Sequence, residues 1–281
     1  NLPVYSGFKI KNGIDAARYL QEAVKFDAEN DREKIILNTI NAYTNLYKAQ
    51  EAVKLVKGNL EQSQQRDKDL SNMEKNGLLA RNDLLKAQLQ TSNIELALLN
   101  AENNLKLSMV ALDLIMGLPE KTILNTDTAS IELKQDVQGI ENYEQQALVN
   151  RKDVKALWLR HDAATAKVKQ AKGDYFPSVG LTGGYIAADI PKVLTITNAV
   201  NAGVGIQYNL GSLWKTKSKI EEAKAVEKEI SATQELIADN IKLEINEAYE
   251  DYFSAKKKID VQLKAIENAK ENYRITKNKY D

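Results

Sequence analysis

The chain has 281 residues with 39 basic and 39 acidic side chains, one histidine and no cysteine. The balanced charge argues against a nucleic-acid binder, which shows a basic excess. The lack of cysteine excludes disulfide scaffolds and thiolate metal sites, and the single His161 leaves no partner for a histidine cluster. We therefore expect no catalytic residue, no metal and no cofactor. Only four prolines and 13 glycines interrupt the chain, which favours long helices.

The sequence contains no run of 18 apolar residues, so it predicts no transmembrane helix. It begins at Asn1 without a methionine, and we expect a piece of a longer protein, truncated at both ends. Targeting information is then expected to lie outside this sequence.

Residues 1–75 align with residues 207–281 at a constant offset of 206 positions and without a gap. Identical pairs recur along this alignment, among them Lys9 and Lys215, Ile35 and Ile241, and Tyr43 and Tyr249. Composition alone makes any two helices rich in Ala, Lys and Glu look alike, which is the alternative explanation. Both copies, however, cross from a strand-like stretch into a helix, which favours a true repeat.

Apolar spacing predicts four helices, separated by turn signals and one loop-rich connection. The first covers residues 8–75, and the second covers 81–116 and ends at Gly117-Leu118-Pro119. These two helices are expected to form an antiparallel hairpin with its tip near Gly77. The remaining segments are a connection over 120–140, a third helix over 141–172, a β-hairpin over 176–210 and a long helix over 213–281.

The predicted hairpin alternates apolar and small or polar residues in two strands of about ten residues, over 178–187 and 201–210. A tilted membrane strand has this length and this alternation, with lipid outside and water inside. The predicted lipid-facing residues are Val179, Leu181, Tyr185, Val204, Ile206 and Tyr208. The predicted lumen-facing residues are Ser178, Thr182, Asn201, Gln207 and Asn209. A soluble hairpin packed on a core alternates in the same way, so the pattern leaves both interpretations open.

By the repeat, residues 1–5 form the tail of a strand equivalent to 207–211, with its hairpin partner upstream. The complete unit is then strand, strand, long helix and return helix, occurring twice. Four strands are too few to close a barrel, and open sheet edges do not occur in lipid. We therefore infer a homo-oligomer whose copies share their strands.

Several stretches, in this order, resemble the TolC-type outer-membrane efflux protein family. Leu2 to Gly7 resembles its strand-to-helix segment, and residues 209–214 form a second copy that lacks the proline. Residues 147–154 resemble an Arg-Pro-Asp-Val helix start, with Lys152 in place of the proline. Three further stretches resemble segments of this family. They are Gly77-Leu78 with residues 82–85, residues 114–119, and Phe176-Pro177-Ser178 with the strand that follows.

This resemblance implies a fold that is mainly α with a small membrane β part. Long helical hairpins from two repeats form an α-barrel, and β-hairpins contribute to a trimeric 12-strand β-barrel. The first repeat is residues 1–119, the equatorial-type connection is 120–140, and the second repeat is 141–281. The resemblance also implies a homotrimer in the outer membrane of a Gram-negative cell envelope, extending into the periplasm. Its partners are a periplasmic adaptor, an inner-membrane pump and outer-membrane lipid, but no nucleic acid.

The resemblance places the tip turn at the periplasmic entrance, where adaptors dock. The docking residues expected there are Gly77, Leu78, Leu79, Arg81 and Asp83. Gly77 can adopt a positive φ and close the turn, and the two leucines can serve as apolar anchors. An ordinary helix-hairpin turn, with Leu78 and Leu79 packed inside, is the alternative.

The predicted function is a passive exit duct for efflux or secretion, without enzymatic activity, and the resemblance implies that it is gated at its periplasmic tip. The alternative is an elongated coiled-coil structural protein with a soluble β-hairpin, which has no need of two alternating ten-residue strands. Lys215, Lys217 and Lys219 follow the second strand. They either lie near lipid headgroups or begin a solvated helix, and solvation is the favoured expectation.

Overall fold

The computed structural model describes residues 2–120, 122–127, 137–190 and 194–280. The chain divides into two units, one formed by residues 1–30 with 136–281 and the other by residues 31–135. Helix α1 (Lys9–Lys75) contributes residues to both units. Among the described residues, none of the helices combines the length and the apolar character that crossing a membrane requires.

The unit of residues 31–135 is built on an antiparallel helical hairpin between α1 and α2 (Arg81–Met116). The pairing of Lys57 with Glu102 and of Ser63 with Thr91 shows the antiparallel direction. Both chain reversals of this unit use a left-handed glycine, Gly77 at φ +74° and Gly117 at φ +69°. The buried side chains between these helices include Leu46, Ala49, Val53, Leu84 and Leu112.

After Gly117, residues 122–127 of the connection are held against α1 by side chains. The Gln50 amide donates to the carbonyl of Leu124 at 2.8 Å and accepts from the Thr126 hydroxyl at 2.5 Å. The Tyr43 hydroxyl exchanges two hydrogen bonds of 2.6 Å with the backbone of Asp127. Residues 121 and 128–136 of the connection predicted over 120–140 lie outside the described residues.

The other unit contains strand β1 (Leu2–Ser6), helices α3 (Ile140–Asn150), α4 (Lys152–Lys172) and α5 (Ser212–Tyr280), and a 3-10 turn, Gly173–Tyr175. Strands β2 (Ser178–Ile190) and β3 (Leu194–Gln207) complete it. Helices α3 and α4 both pack on α5. Small side chains on α4 allow close approach of its neighbours, and those buried are Ala156, Ala163, Ala164 and Ala166.

The single helix predicted over 141–172 is wrong, because the chain breaks at Arg151. This residue has an extended ψ of 134°, and α4 starts at Lys152. The first position of a helix suits proline, since its missing N–H has no helical partner there. Lys152 occupies that position here, where the motif of residues 147–154 has its proline.

The three strands form one antiparallel sheet in the order β1-β2-β3. Leu2 pairs with Leu181 and Tyr5 with Val179, so the first residues of the chain pair with β2. Pro3 suits an edge strand, where its missing N–H breaks no ladder. The strands of the hairpin are 13 and 14 residues long, so both exceed the ten residues or so that were predicted, and the second begins earlier than residue 201.

Candidate functional site: the two-faced sheet, the strand–helix junction and the helical tip

The register of β2 with β3 puts the two predicted sets of side chains on opposite faces of the sheet. Directly opposed residues of an antiparallel pair share a face. Val179 pairs with Ile206 and Leu181 with Val204, which unites the apolar set on one face. Ser178 pairs with Gln207, and the same register puts Thr182 and Asn201 with them on the other face. That the apolar face meets lipid and the polar face a lumen stays a prediction.

The apolar face is exposed. Val204 retains 70% of its accessible surface and Ile206 retains 74%. Tyr185 and its strand neighbour Val200 are similarly uncovered, at 62% and 78%. Large exposed apolar patches of this kind mark interaction surfaces with protein or membrane. The opposite face combines polar side chains with four glycines, namely Gly180, Gly184, Gly203 and Gly205.

Two predicted face residues do not belong to the strand. Strand β3 ends at Gln207, so Tyr208 and Asn209 lie in the turn before α5. The Asn209 side chain accepts a hydrogen bond of 3.0 Å from the backbone N–H of Gly211. Asparagine favours such local turn bonds over continued strand pairing, which explains why the alternation misled the prediction here.

The two-faced register ends at a bulge near Ile186. The pairing shifts between Ile186 and Ala188, and Asn198 of β3 adopts a φ of +61°. The Tyr185 hydroxyl donates a hydrogen bond to the Asn198 side chain across the strands. Bulges of this kind redirect the side chains that follow, so the regular apolar face runs from Val179 to Tyr185 along β2.

An ion pair network joins three elements where the sheet meets the helices. Asp174 lies in the 3-10 turn and accepts hydrogen bonds from Lys9 of α1 at 3.0 Å and from Lys219 of α5 at 2.9 Å. The Lys219 ammonium, followed by that of Lys9, lowers the pKa of the Asp174 carboxyl. Lys219 is therefore paired, but 59% of its side-chain surface stays exposed, which agrees with the expected solvation.

A second network fixes the break between α3 and α4. The Arg151 guanidinium donates to both carboxylate oxygens of Asp153, at 3.1 and 2.7 Å, and to Glu244 of α5 at 2.6 Å. The hydrogen bonds from Arg151 lower the pKa of Asp153, and those to Asp153 raise the pKa of Arg151. Lys152 pairs with Glu29 of α1 at 2.7 Å. The sequence signal for this break was Arg151-Lys152-Asp153-Val154 itself.

The helical tip is a Schellman turn. The N–H of Leu78 donates to the carbonyl of Met73, and that of Gly77 donates to Glu74, both at 2.9 Å. Leu78 is 72% exposed, so it is not packed inside the hairpin. Leu79 is half-buried, which leaves Leu78 as the exposed apolar residue of this turn.

Polar residues flank the tip on the α2 side. Arg81 and Asp83 are both exposed at the start of α2. Asp83 pairs with Lys86 at 3.1 Å on the same helix. That Gly77, Leu78, Leu79, Arg81 and Asp83 form a docking site stays a prediction.

His161 has an acidic neighbour, but their separation is long for an ion pair. Its Nδ1 lies 4.0 Å from the carboxylate of Asp162. Within the part of the chain that the structure describes, histidine and carboxylate side chains nowhere gather in groups of three that could hold a metal ion.

The family model for outer membrane efflux proteins matches residues 1–118 and 144–281. The chain belongs to the outer membrane efflux protein family. This confirms the resemblance drawn from the motifs, and it places the protein in the outer membrane. Proteins of the outer membrane efflux family are non-enzymatic conduits, in agreement with the expectation that this one is not an enzyme.

Solved structures of outer-membrane channels have the same fold as this efflux family member. The outer-membrane channel OprN is 21% identical with a TM-score of 0.78, over 89% of this chain and 57% of OprN. VceC from Vibrio cholerae is 21% identical with a TM-score of 0.79, over 99% of this chain and 67% of VceC. CmeC from Campylobacter jejuni is 18% identical with a TM-score of 0.69, over 83% of this chain and 50% of CmeC.

The chain therefore spans little more than half the length of OprN. No curated protein matches it. The structural likeness confirms the predicted fold class, mainly helical with a small β-sheet.

Proposed function

We propose that the whole protein is a passive exit duct in the outer membrane, formed by a homotrimer that shares its β-strands. The observation that carries this proposal is the two-faced sheet, with exposed apolar side chains on one face and polar side chains with glycines on the other. Strands of 13 and 14 residues exceed the 9–11 or so that a tilted membrane strand needs. A lipid-facing band and a water-filled interior require such a division.

The edges of the sheet support assembly from several copies. The described sheet has three strands, and its outer strands present unpaired backbone groups. Such groups cost several kcal/mol each in the hydrocarbon core, so membrane sheets close. Sharing strands among three copies satisfies these edges and gives the 12-strand barrel that the family resemblance implies.

Coupling to an energy source is proposed to occur at the helical tip. A periplasmic adaptor would bind the turn from Gly77 to Asp83 and link the duct to an inner-membrane pump. Leu78 offers an exposed apolar anchor beside polar groups, which is the composition of a small interface core with a polar rim.

The coiled-coil scaffold remains the competing function, and the apolar sheet face argues against it. A soluble hairpin packed on a core would cover side chains such as Val204 and Ile206, which are among the most exposed on β3. The family match over both repeats argues in the same direction.

The proposal is tested on the full-length protein extracted from membranes. Light scattering corrected for bound detergent is expected to give the mass of a trimer that requires detergent. A monomer or dimer that stays in solution without detergent would overturn the proposal and favour the scaffold.

A pair of neighbouring variants tests which face meets lipid. Leu181→Arg is expected to cost about 2–4 kcal/mol and to reduce the assembled trimer, because a charge would enter the lipid face. Thr182→Arg, one residue further on the opposite face, is expected to leave the trimer intact. Equal loss in both variants would contradict the assignment of the faces.

A further inference from the structure

A groove of about 550 Å³ lies where the sheet gives way to α4 and α5. Its apolar lining comes from Tyr175 and Phe176, which immediately precede β2, and from Ile220 on α5. Ile220 is buried, whereas both aromatic rings remain accessible, Phe176 at 51% and Tyr175 at 38%. The groove thus has a buried apolar floor, and its two aromatic rings are accessible from outside.

The rim of this groove is cationic. Lys172 at the end of α4 and Lys217 and Lys224 on α5 line it, together with one carboxylate, that of Glu221. Lys224 is neutralised by Glu221, whose oxygen lies 3.0 Å from its ammonium. Among the described residues, neither Lys172 nor Lys217 forms an ion pair, since Glu221 is paired with Lys224. Two positive charges therefore border an apolar surface.

The position of the groove in the chain determines what it can meet. Tyr175 and Phe176 come just before the first strand of the hairpin, and Lys217 comes just after the second. In the proposed duct these strands cross the bilayer, so the groove lies at the membrane surface on the helical side. Aromatic rings and lysines concentrate at this depth. The apolar part of each side chain lies in the hydrocarbon there, while its polar end reaches the headgroups and water.

We propose that the groove binds one anionic phospholipid. Its phosphate pairs with the ammonium groups of Lys172 and Lys217, and the first part of its acyl chains lies against Tyr175, Phe176 and Ile220. A free inorganic anion would use only the two exposed lysines, which gain little from a solvated ion pair. An amphiphile uses both the charge and the apolar floor, so the lining matches a lipid better than a free anion. This inference rests on the proposed function, because it requires the sheet to lie in a membrane.

The test uses the full-length protein in detergent and native mass spectrometry to count bound lipid. The ligands are dioctanoyl phosphatidylglycerol, dioctanoyl phosphatidylcholine and inorganic phosphate. Wild type is expected to bind the anionic lipid at least tenfold more tightly than the zwitterionic one. Lys172→Gln with Lys217→Gln is expected to lose roughly tenfold or more in affinity for phosphatidylglycerol, since each lysine near an anionic lipid surface contributes measurably.

The matched control is Lys167→Gln with Lys228→Gln, which removes two charges from the same helices outside the groove lining. It is expected to bind like wild type. Equal binding of both lipids, an equal loss in the control, or displacement of the lipid by inorganic phosphate at similar concentration would overturn the proposal. Light scattering on the same samples separates the outcomes, because an intact trimer without lipid preference rejects only the lipid site.

Discussion

Gly7 and Gly173 cross backbone against backbone at the junction of sheet and helices. A Cβ added to Gly7 would lie 2.3 Å from the carbonyl oxygen of Gly173, and one added to Gly173 would lie 2.5 Å from that of Gly7. Gly7 also has a φ of +60°, whereas Gly173 has a φ of −60° that any residue adopts. Steric space, rather than backbone freedom, is therefore what position 173 requires.

Gly173→Ala is expected to destabilise the protein by about 1–3 kcal/mol, the usual cost of forcing a methyl group into a closed contact. The matched control is Gly58→Ala in α1, where an added Cβ meets no atom within 4 Å. That control is expected to stabilise by roughly 0.5–1 kcal/mol, because glycine is a poor helix former. Thermal unfolding followed by circular dichroism measures both, and a harmless Gly173→Ala would contradict the close crossing.

The buried hydroxyl pair of the α1–α2 hairpin predicts an unequal response to two single substitutions. Ser63 and Thr91 lie 2.7 Å apart, and the Thr91 hydroxyl also reaches the carbonyl of Ala87 at 3.3 Å. Ser63→Ala leaves Thr91 bonded and is expected to cost about 1 kcal/mol. Thr91→Val leaves the Ser63 hydroxyl without this partner in a buried site and is expected to cost about 1–3 kcal/mol.

The double variant separates the pair from its surroundings. Ser63→Ala with Thr91→Val removes both polar groups, so it is expected to be less destabilised than the sum of the two single variants. Denaturant unfolding of all four proteins gives the coupling energy. Strict additivity would show that the two hydroxyls do not interact.

The carboxyl of Asp174 predicts a pH dependence confined to acid. Its folded pKa lies below the ordinary 3.8, so its stabilisation is complete above that value and is lost as the pH falls through the folded pKa. Asp174→Asn is expected to cost on the order of 1 kcal/mol at pH 7, because the lysines are partly exposed. The difference between variant and wild type is expected to vanish in strong acid.

Melting temperatures of both proteins across this pH range provide the measurement. Glu271→Gln is the control, since the Glu271 side chain lies on the surface, about half exposed, and pairs with Arg274 on the same helix. No measurable change is expected from it at any pH. A difference between Asp174→Asn and wild type that persists in strong acid would show that charge pairing is not the cause.

Leu78 provides the test of the docking tip. Leu78→Glu is expected to weaken binding of the cognate adaptor by tenfold or more and to lower efflux, since it places a charge at the proposed apolar anchor. Because Leu78 is exposed, the melting temperature of Leu78→Glu is expected to stay within error of that of wild type. Leu78→Met keeps the apolar surface and is expected to retain binding. Full adaptor binding by Leu78→Glu would show that the docking site does not include Leu78.

Local signals in the sequence predicted the helical hairpin correctly. Helix α2 begins at Arg81 and ends at Met116 as expected, because Gly77 and Gly117 each supply a left-handed turn residue that ends a helix by itself. Alternation along single strands also predicted the two faces. The helical tip and the two faces of the sheet could therefore be predicted from residues that are close together in the sequence.

Features that depend on distant residues were not predictable in this way. The pairing of β1 depends on residues of β2, and the hydrogen bond from Arg151 to Glu244 joins residues 93 positions apart. The repeat gave similar sequences with different burial, since Ile220 and Ile241 are 7% and 1% exposed while their counterparts Ile14 and Ile35 are 55% and 59% exposed. Helices α3 and α4 cover α5, and periodicity within one helix does not reveal which neighbour will pack on it.

The pairing of β1 with β2 sets an order in which the chain is able to fold. Leu2 finds its strand partner only at Leu181, whereas α1 and α2 meet across a turn of a few residues at Gly77. Closing the long loop costs more entropy than closing the local hairpin. We expect the helical hairpin to form first, and the exposed apolar side chains of the sheet to come together only after β1 and β2 have met.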